Sequence, residues 1–275
     1  MSSAITNPTG TGRESVLANT SSYGRGRTVG AVAAEWTKLW SVRATWWCLA
    51  GSVVLMGLFA PALGGSIANN YRTDGVDTDV PIAHSSALAM NLVQFAIVAL
   101  AMLSMTTEYS TGSIRTTLQC VPVRGRMLFA KSAIAAPVMF VVGIVLAVVG
   151  TLTTTPLLFE YADTDMSKAV PTILNAGVYV ALVGVFAIGV GAAVRSAVGT
   201  LTTVFMVLAG LPGALAVSSN DITQKILDYL PSTAGQHLMD GDTDPYGRPA
   251  ALLIILVWVA AAQVVGYIVL SKRDA

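Results

Sequence analysis

Charge is what this sequence has least of. Asp, Glu, Lys and Arg make up 11% of the 275 residues and hydrophobic residues 54%, whereas about a quarter of a soluble domain is charged. The solvent for much of such a chain is lipid. A net charge of +1 gives no sign of nucleic acid as a partner, and the placement of the charges matters more than their sum. Cysteine is almost missing: Cys48 lies in an apolar run and Cys120 in a polar insert, which excludes a disulfide framework. Histidine is as rare. His84 and His237 form no HExxH pair, and no GxSxG elbow occurs, so zinc-protease and serine-hydrolase chemistry lack their motifs. No Gly-Lys dipeptide occurs, so there is no phosphate-binding P-loop. If ATP drives this protein, another polypeptide binds it. The run Asp240 to Asp244 opens like a calcium loop, but Pro245 stands where glycine is needed and Ala251 where glutamate is needed. No metal site is read.

What the chain does have is six apolar segments. They cover about 44–65, 85–106, 132–153, 172–194, 197–217 and 250–270. Each is long enough to cross about 30 Å of hydrocarbon at 1.5 Å per residue. Backbone polar groups in lipid must bond within their own segment, so the segments are helices. The expected fold is an all-α polytopic membrane protein with six transmembrane helices. Arg195 and Ser196 alone separate the fourth and fifth segments, which predicts a tight helical hairpin.

The charges predict the orientation. With the amino terminus inside, twelve basic residues fall on the inner side: Arg13, Arg25, Arg27, Lys38, Arg43, Arg115, Arg124, Arg126, Lys131, Arg195, Lys272 and Arg273. Only Arg72, Lys168, Lys225 and Arg248 fall outside. The positive-inside rule selects this arrangement. It makes the chain multi-pass with both termini cytoplasmic; the expected location is the plasma membrane. Residues 1–27, rich in Ser, Thr, Gly and Asn, read as a disordered cytoplasmic tail, followed by a transmembrane domain over 28–275. Within that domain, Val29, Val32, Ala33, Trp36, Leu39 and Trp40 recur at helical spacing, with Glu35, Lys38 and Ser41 off the stripe. This predicts an amphipathic interfacial helix on the inner leaflet, with Trp36, Trp40, Trp46 and Trp47 at the level of the lipid headgroups.

Two groups of polar residues are candidates for function. The insert from Glu108 to Lys131 joins the second and third segments and sets Arg115, Arg124, Arg126 and Lys131 against one acid. It is expected to face water or a partner. Inside the segments, Asn91, Gln94 and Gln263 either line a substrate path or bond between helices. Gly184, Ala187, Gly189 and Gly191 give the fourth helix a small-residue face for close packing, within the subunit or across a dimer. Every acid falls outside the segments as bounded above, which leaves no buried carboxylate pair for a proton relay.

Together these features resemble the ABC-2 type permeases of ATP-binding cassette transporters, and more narrowly those of actinobacteria. The likeness is carried by three blocks. The first is Ala34 to Leu39 with Ser41 to Arg43 and Thr45 to Trp47. The second is Glu108 to Arg115 with Leu118, Pro122, Arg124 or Arg126, and Lys131. The third is Tyr229 to Gly235 before the last span. The resemblance implies a membrane-spanning permease subunit of an ABC exporter. It implies a homodimer or heterodimer with a second permease subunit, and separate ABC ATPase subunits that hold ATP and magnesium. This chain would bind no cofactor and would itself be no enzyme. The segment after Glu108 would be a coupling helix, with Glu108, Gly112, Arg115, Pro122 and Arg126 as its contact residues. The competing expectation is a membrane anchor or assembly protein that moves no cargo.

Overall fold

The structure is a computed structural model. It describes residues 30, 33–74, 80–112, 124–158, 162–163, 165–218 and 220–272. The tail read over 1–27 lies outside them.

Residues 33–41 form helix α1. The long helices α2 (Arg43–Asp74), α3 (His84–Ser110), α4 (Arg124–Leu158) and α5 (Met166–Val194) follow. A fifth rod is continuous through α6 (Ala197–Phe205), a π-turn (Met206–Gly210) and α7 (Leu211–Ala216). Two short helices, α8 (Asp221–Asp228) and α9 (Pro231–Asp240), precede α10 (Arg248–Lys272). Two-residue strands β1 (Val80–Pro81) and β2 (Ala162–Asp163) pair in parallel and tie the lead-in of α3 to that of α5.

Six of these helices are long and apolar enough to cross a membrane. The chain is thus all-α, with the character of a multi-pass membrane protein. Several helices outrun the apolar segments read from the sequence. α2 continues to Asp74, α3 to Ser110, and α4 starts at Arg124 instead of Ser132. Hydropathy sees only the apolar part of a helix, whereas backbone bonding carries the helix on through polar turns.

The middle of the bundle is α5. Of its most apolar stretch 72% is buried, against 22% for α2 and for α10 and 17% for α6–α7. It packs on α4, α10, α3 and α9, while α2 lies outside against α3 and α4. The outer helices leave large apolar side chains uncovered, among them Leu58, Leu152, Val198 and Val257. Apolar surface of that extent is stable against lipid or another apolar face, not against water.

Close approach of α5 to its neighbours depends on glycine. A β-carbon on Gly189 would lie 2.8 Å from the Ala262 carbonyl carbon of α10, and one on Gly266 would lie 2.6 Å from the Gly189 carbonyl oxygen. A β-carbon on Gly184 would meet Met139 of α4. The small-residue face of α5 therefore packs inside the subunit. The π-turn sits one turn before Pro212, which has no N–H to give the preceding turn. The wider i→i+5 spacing, with Leu211 N–H on Met206 O, absorbs that break without ending the rod.

Gly189→Leu should cost at least about 1–3 kcal/mol by overpacking against backbone that cannot yield. Thermal unfolding in detergent should show a clearly lowered Tm. Gly57→Ala, where an added β-carbon meets nothing within 4 Å, should leave Tm unchanged or slightly raised.

Candidate functional site

The strongest polar feature lies where α1, α3 and α4 meet. α1 ends at Ser41, and Val42 turns the chain into α2. Thr45 fixes this elbow twice: its N–H donates to Val42 O (3.1 Å) and its hydroxyl to Leu39 O (2.6 Å). Trp46 closes the corner by donating Nε1–H to Trp40 O (3.3 Å), and the Trp40 ring lies between Trp36, which it meets edge-on, and Trp46, to which it is tilted. The elbow folds α1 back toward the ends of α3 and α4. That brings Glu35 and Lys38 to Glu108 and Lys131.

Lys131 is the centre. Its side chain is 1% exposed. Its ammonium donates to Glu35 Oε2 (2.7 Å), Glu108 Oε1 (2.8 Å) and Ser104 O (3.0 Å). An ammonium has three protons to donate, so it is saturated. Lys38 donates to Glu108 Oε1 (2.9 Å) and Glu35 Oε1 (3.2 Å). Two acids and two bases thus neutralise each other. Half of the Lys38 side chain is exposed. Burial pulls its pKa down, but the hydrogen bond and charge of Glu108, joined by those of Glu35, outweigh it and raise the value. Its pairs are therefore complete below the ordinary lysine range and are lost only as pH rises through the raised pKa.

This corrects one expectation. The insert from Glu108 to Lys131 was expected to face water or a partner, with every acid outside the spans. Both of its ends are instead buried in the bundle. Glu108 stands in the last turn of α3, 5% exposed, and Lys131 stands two turns into α4, 3% exposed. A charge beside an apolar run reads as exposed from sequence alone; here its partners arrive from α1 and make burial tolerable.

The other residues singled out from the sequence are placed as follows. Gly112 follows the end of α3 at φ +70°, the left-handed region where a β-carbon is costly, and its N–H caps Tyr109 O (3.2 Å). Arg126 is exposed in the first turn of α4. Arg115 and Pro122 lie outside the described residues. Gln94 is buried and accepts from the Tyr179 hydroxyl of α5 (2.7 Å), and its amide donates to Asn91 O (2.8 Å). Gln263 donates to Val185 O (2.7 Å). Both glutamines hold polar atoms of neighbouring elements in place. Asn91 stands one turn before Gln94 on the same face of α3.

No family model matches the chain, and no curated protein matches it. The site is therefore read from its own geometry. Arg195 adds to it from the α5–α6 hairpin. It sits at φ 58°, donates to Val269 O of α10 (3.2 Å), and stacks over the Tyr109 ring at 5.2 Å. Ser196 caps α6 by accepting from Gly199 N (3.4 Å). The ends of α3, α4, α5 and α10 that carry Glu108, Lys131, Arg195 and Val269 are thus joined by polar bonds, with α1 across one side.

At the opposite end, His84 Nδ1 and Asp240 Oδ1 lie 3.0 Å apart, Gln236 donates to Ala87 O (3.0 Å), and Trp258 donates to Tyr229 O (3.0 Å). Gly235 lets α9 press onto the Tyr179 ring. α8 leaves Ile222, Ile226 and the adjoining Tyr229 uncovered. The cluster around Lys131 has no counterpart of its kind there among the described residues.

Sequence reasoning overlooked Glu35 and Lys38 as site residues. The available signal was their i, i+3 pairing of opposite charge beside a tryptophan stripe.

Lys131→Met leaves Glu35 and Glu108 with Lys38 as their shared cation, one negative charge uncompensated in a largely buried setting, and should cost about 3–5 kcal/mol. Lys38→Met, half exposed, should cost under about 1 kcal/mol. Adding Glu108→Gln to Lys131→Met should cost much less than the sum of the single changes. Tm measured across the four variants and wild type checks this.

Proposed function

We propose that the chain is the membrane-spanning permease subunit of an ABC exporter of the ABC-2 type, seated in the plasma membrane with both termini in the cytoplasm. One observation carries the reading. Glu108, the acid of the block that resembles the family, is the residue on which α1, α3 and α4 converge. A load applied to the segment after Gly112 would pass through Glu108 to α3, through Lys131 to α4 and through Lys38 to the elbow helix. Such a junction suits a part that transmits force and does no chemistry of its own.

In this reading, separate ATPase subunits bind ATP and magnesium and dock on the 113–123 segment and Arg126. A second permease subunit completes the pathway, paired through outer helices that expose apolar side chains. The positive-inside count puts the Lys131 cluster at the cytoplasmic face. α1 then lies along the inner leaflet with Trp36, Trp46 and Trp47, all more than half exposed, among the headgroups. α8, with Ile222 and Ile226 uncovered, lies at the outer surface.

A second reading is a membrane anchor that moves no cargo. It is favoured by the use of Gln94 and Gln263 in bonds that hold the bundle together, which leaves few polar groups for a path.

The test is co-purification with a candidate ABC ATPase subunit from the same organism. Arg115→Glu with Arg126→Glu should lower ATPase binding and coupled hydrolysis about tenfold or more, the scale of a few charge-assisted bonds. Folded yield should stay the same. Unchanged binding and turnover would remove the coupling assignment. ATP-dependent export from reconstituted vesicles would remove the anchor reading.

A further inference from the structure

α9 rests on the start of α3 through two polar bonds. Gln236 gives its amide to Ala87 O (3.0 Å). Asp240, the last residue of α9, holds His84, the first residue of α3, with 3.0 Å between Oδ1 and Nδ1. The rest of the polar surface of α9 is poorly matched. Ser232 Oγ and Gln236 Oε1, one turn apart, are buried and have no hydrogen-bond partner among the described residues. Each such atom costs free energy that the seat of α9 must offset. Among the described residues, His84–Asp240 is the one bond between α3 and α9 that can carry opposite full charges. The two side chains are 33% and 22% exposed, so protons from water reach the pair. Histidine is the side chain that gains and loses its proton near neutral pH.

We propose that His84 and Asp240 form a proton-operated latch: with His84 protonated the ion pair holds α9 against α3, and with His84 neutral the hold weakens. The sign follows from the pair. His84 stands one residue ahead of the apolar stretch that begins at Ser85. Its hydrogen bond to Asp240, opposed by burial and joined by the Asp240 charge, raises its pKa above the usual 6.5. The hold is therefore complete below about 6.5 and is lost as pH rises through the raised value. The other charges nearby come from three sides. Arg248 of α10 donates to Leu238 O and Met239 O beside Asp240. Asp242 and Asp244 lie exposed in the link to α10. Asp163 of β2 is in register with Pro81, and exposed Asp165 and Lys168 open α5, whose Ala169 packs on Ile82 and Ala83. His237, on α9 itself, lies against the Tyr246 ring. The latch reaches into the bundle. Gly235 of α9 presses on the Tyr179 ring, and the Tyr179 hydroxyl donates to Gln94 of α3. The proton on His84 thus bears on a bond between α5 and α3. The inference rests on the fold and stands whether or not the chain is a permease.

The test uses the full chain in phosphatidylcholine nanodiscs. Amide hydrogen exchange of residues 231–240 is followed between about pH 5.5 and 8.5, each rate divided by the intrinsic rate at that pH. The unaltered chain should lose about fivefold in protection as pH rises past about 6.5, the scale of a partly exposed ion pair. The middle of α5 should not change. His84→Gln and Asp240→Asn should each show the weaker protection at every pH, without the step, in protein that keeps its helical circular dichroism and elution volume. His237→Gln should keep the step, which assigns the proton to His84. If one of the first two variants fails to fold, the other is read; the titration of the unaltered chain stands by itself. Protection of 231–240 that does not depend on pH in the unaltered chain would overturn the inference. So would a step that persists in folded His84→Gln or Asp240→Asn, or one that His237→Gln abolishes.

Discussion

One buried ammonium organises the charged end of this protein. Lys131, on α4, spends all three of its protons on acceptors from two other helices: Glu35 on α1, and Glu108 and Ser104 on α3. Without it two carboxylates would lie close together in an apolar setting. Without the carboxylates, Lys131 itself would have to leave the bundle or lose its charge. Each member is tolerable only because the others are present. The elbow at Val42 follows from this. α1 could extend α2 straight onward, but the pull of Lys131 on Glu35, reinforced by the Thr45 and Trp46 bonds, folds it across the bundle.

The six long helices were legible because each carries an apolar stretch that only a helix can accommodate in lipid. The Arg195–Ser196 hairpin was legible too, since two polar residues between apolar runs leave room for nothing but a turn. The reach of the helices was not. Glu108 and Lys131 lie beyond the apolar windows, so hydropathy placed them in an exposed insert. Their burial depends on partners far away in the chain: Lys131 meets Glu35 across 96 positions, and Lys38 meets Glu108 across 70. No local pattern encodes such pairs. They appear only once the elbow and the packing of α3 on α4 are known. The fate of Gln94 was similarly open, because its partner Tyr179 lies 85 positions on and a single glutamine on an apolar helix bears no mark of which neighbour it will meet.

The two ends of the bundle solve different problems. At the end with His84, polar bonds seat α9 on α3 and α10, and Gly235 lets the cap settle onto Tyr179. At the end with Lys131, a neutral four-residue cluster fastens α1 to the core. Beside it the bundle leaves a cavity that Glu108 helps to line. An acid that anchors a helix and also faces a cavity links what fills the cavity to how α1 is held.

Hydrogen exchange of residues 33–41 tests the central claim most directly. If Lys131 holds α1 on the bundle, Lys131→Met should speed amide exchange in those residues about tenfold or more, while the middle of α5 keeps its protection. Unchanged exchange in α1 in that variant would contradict the account.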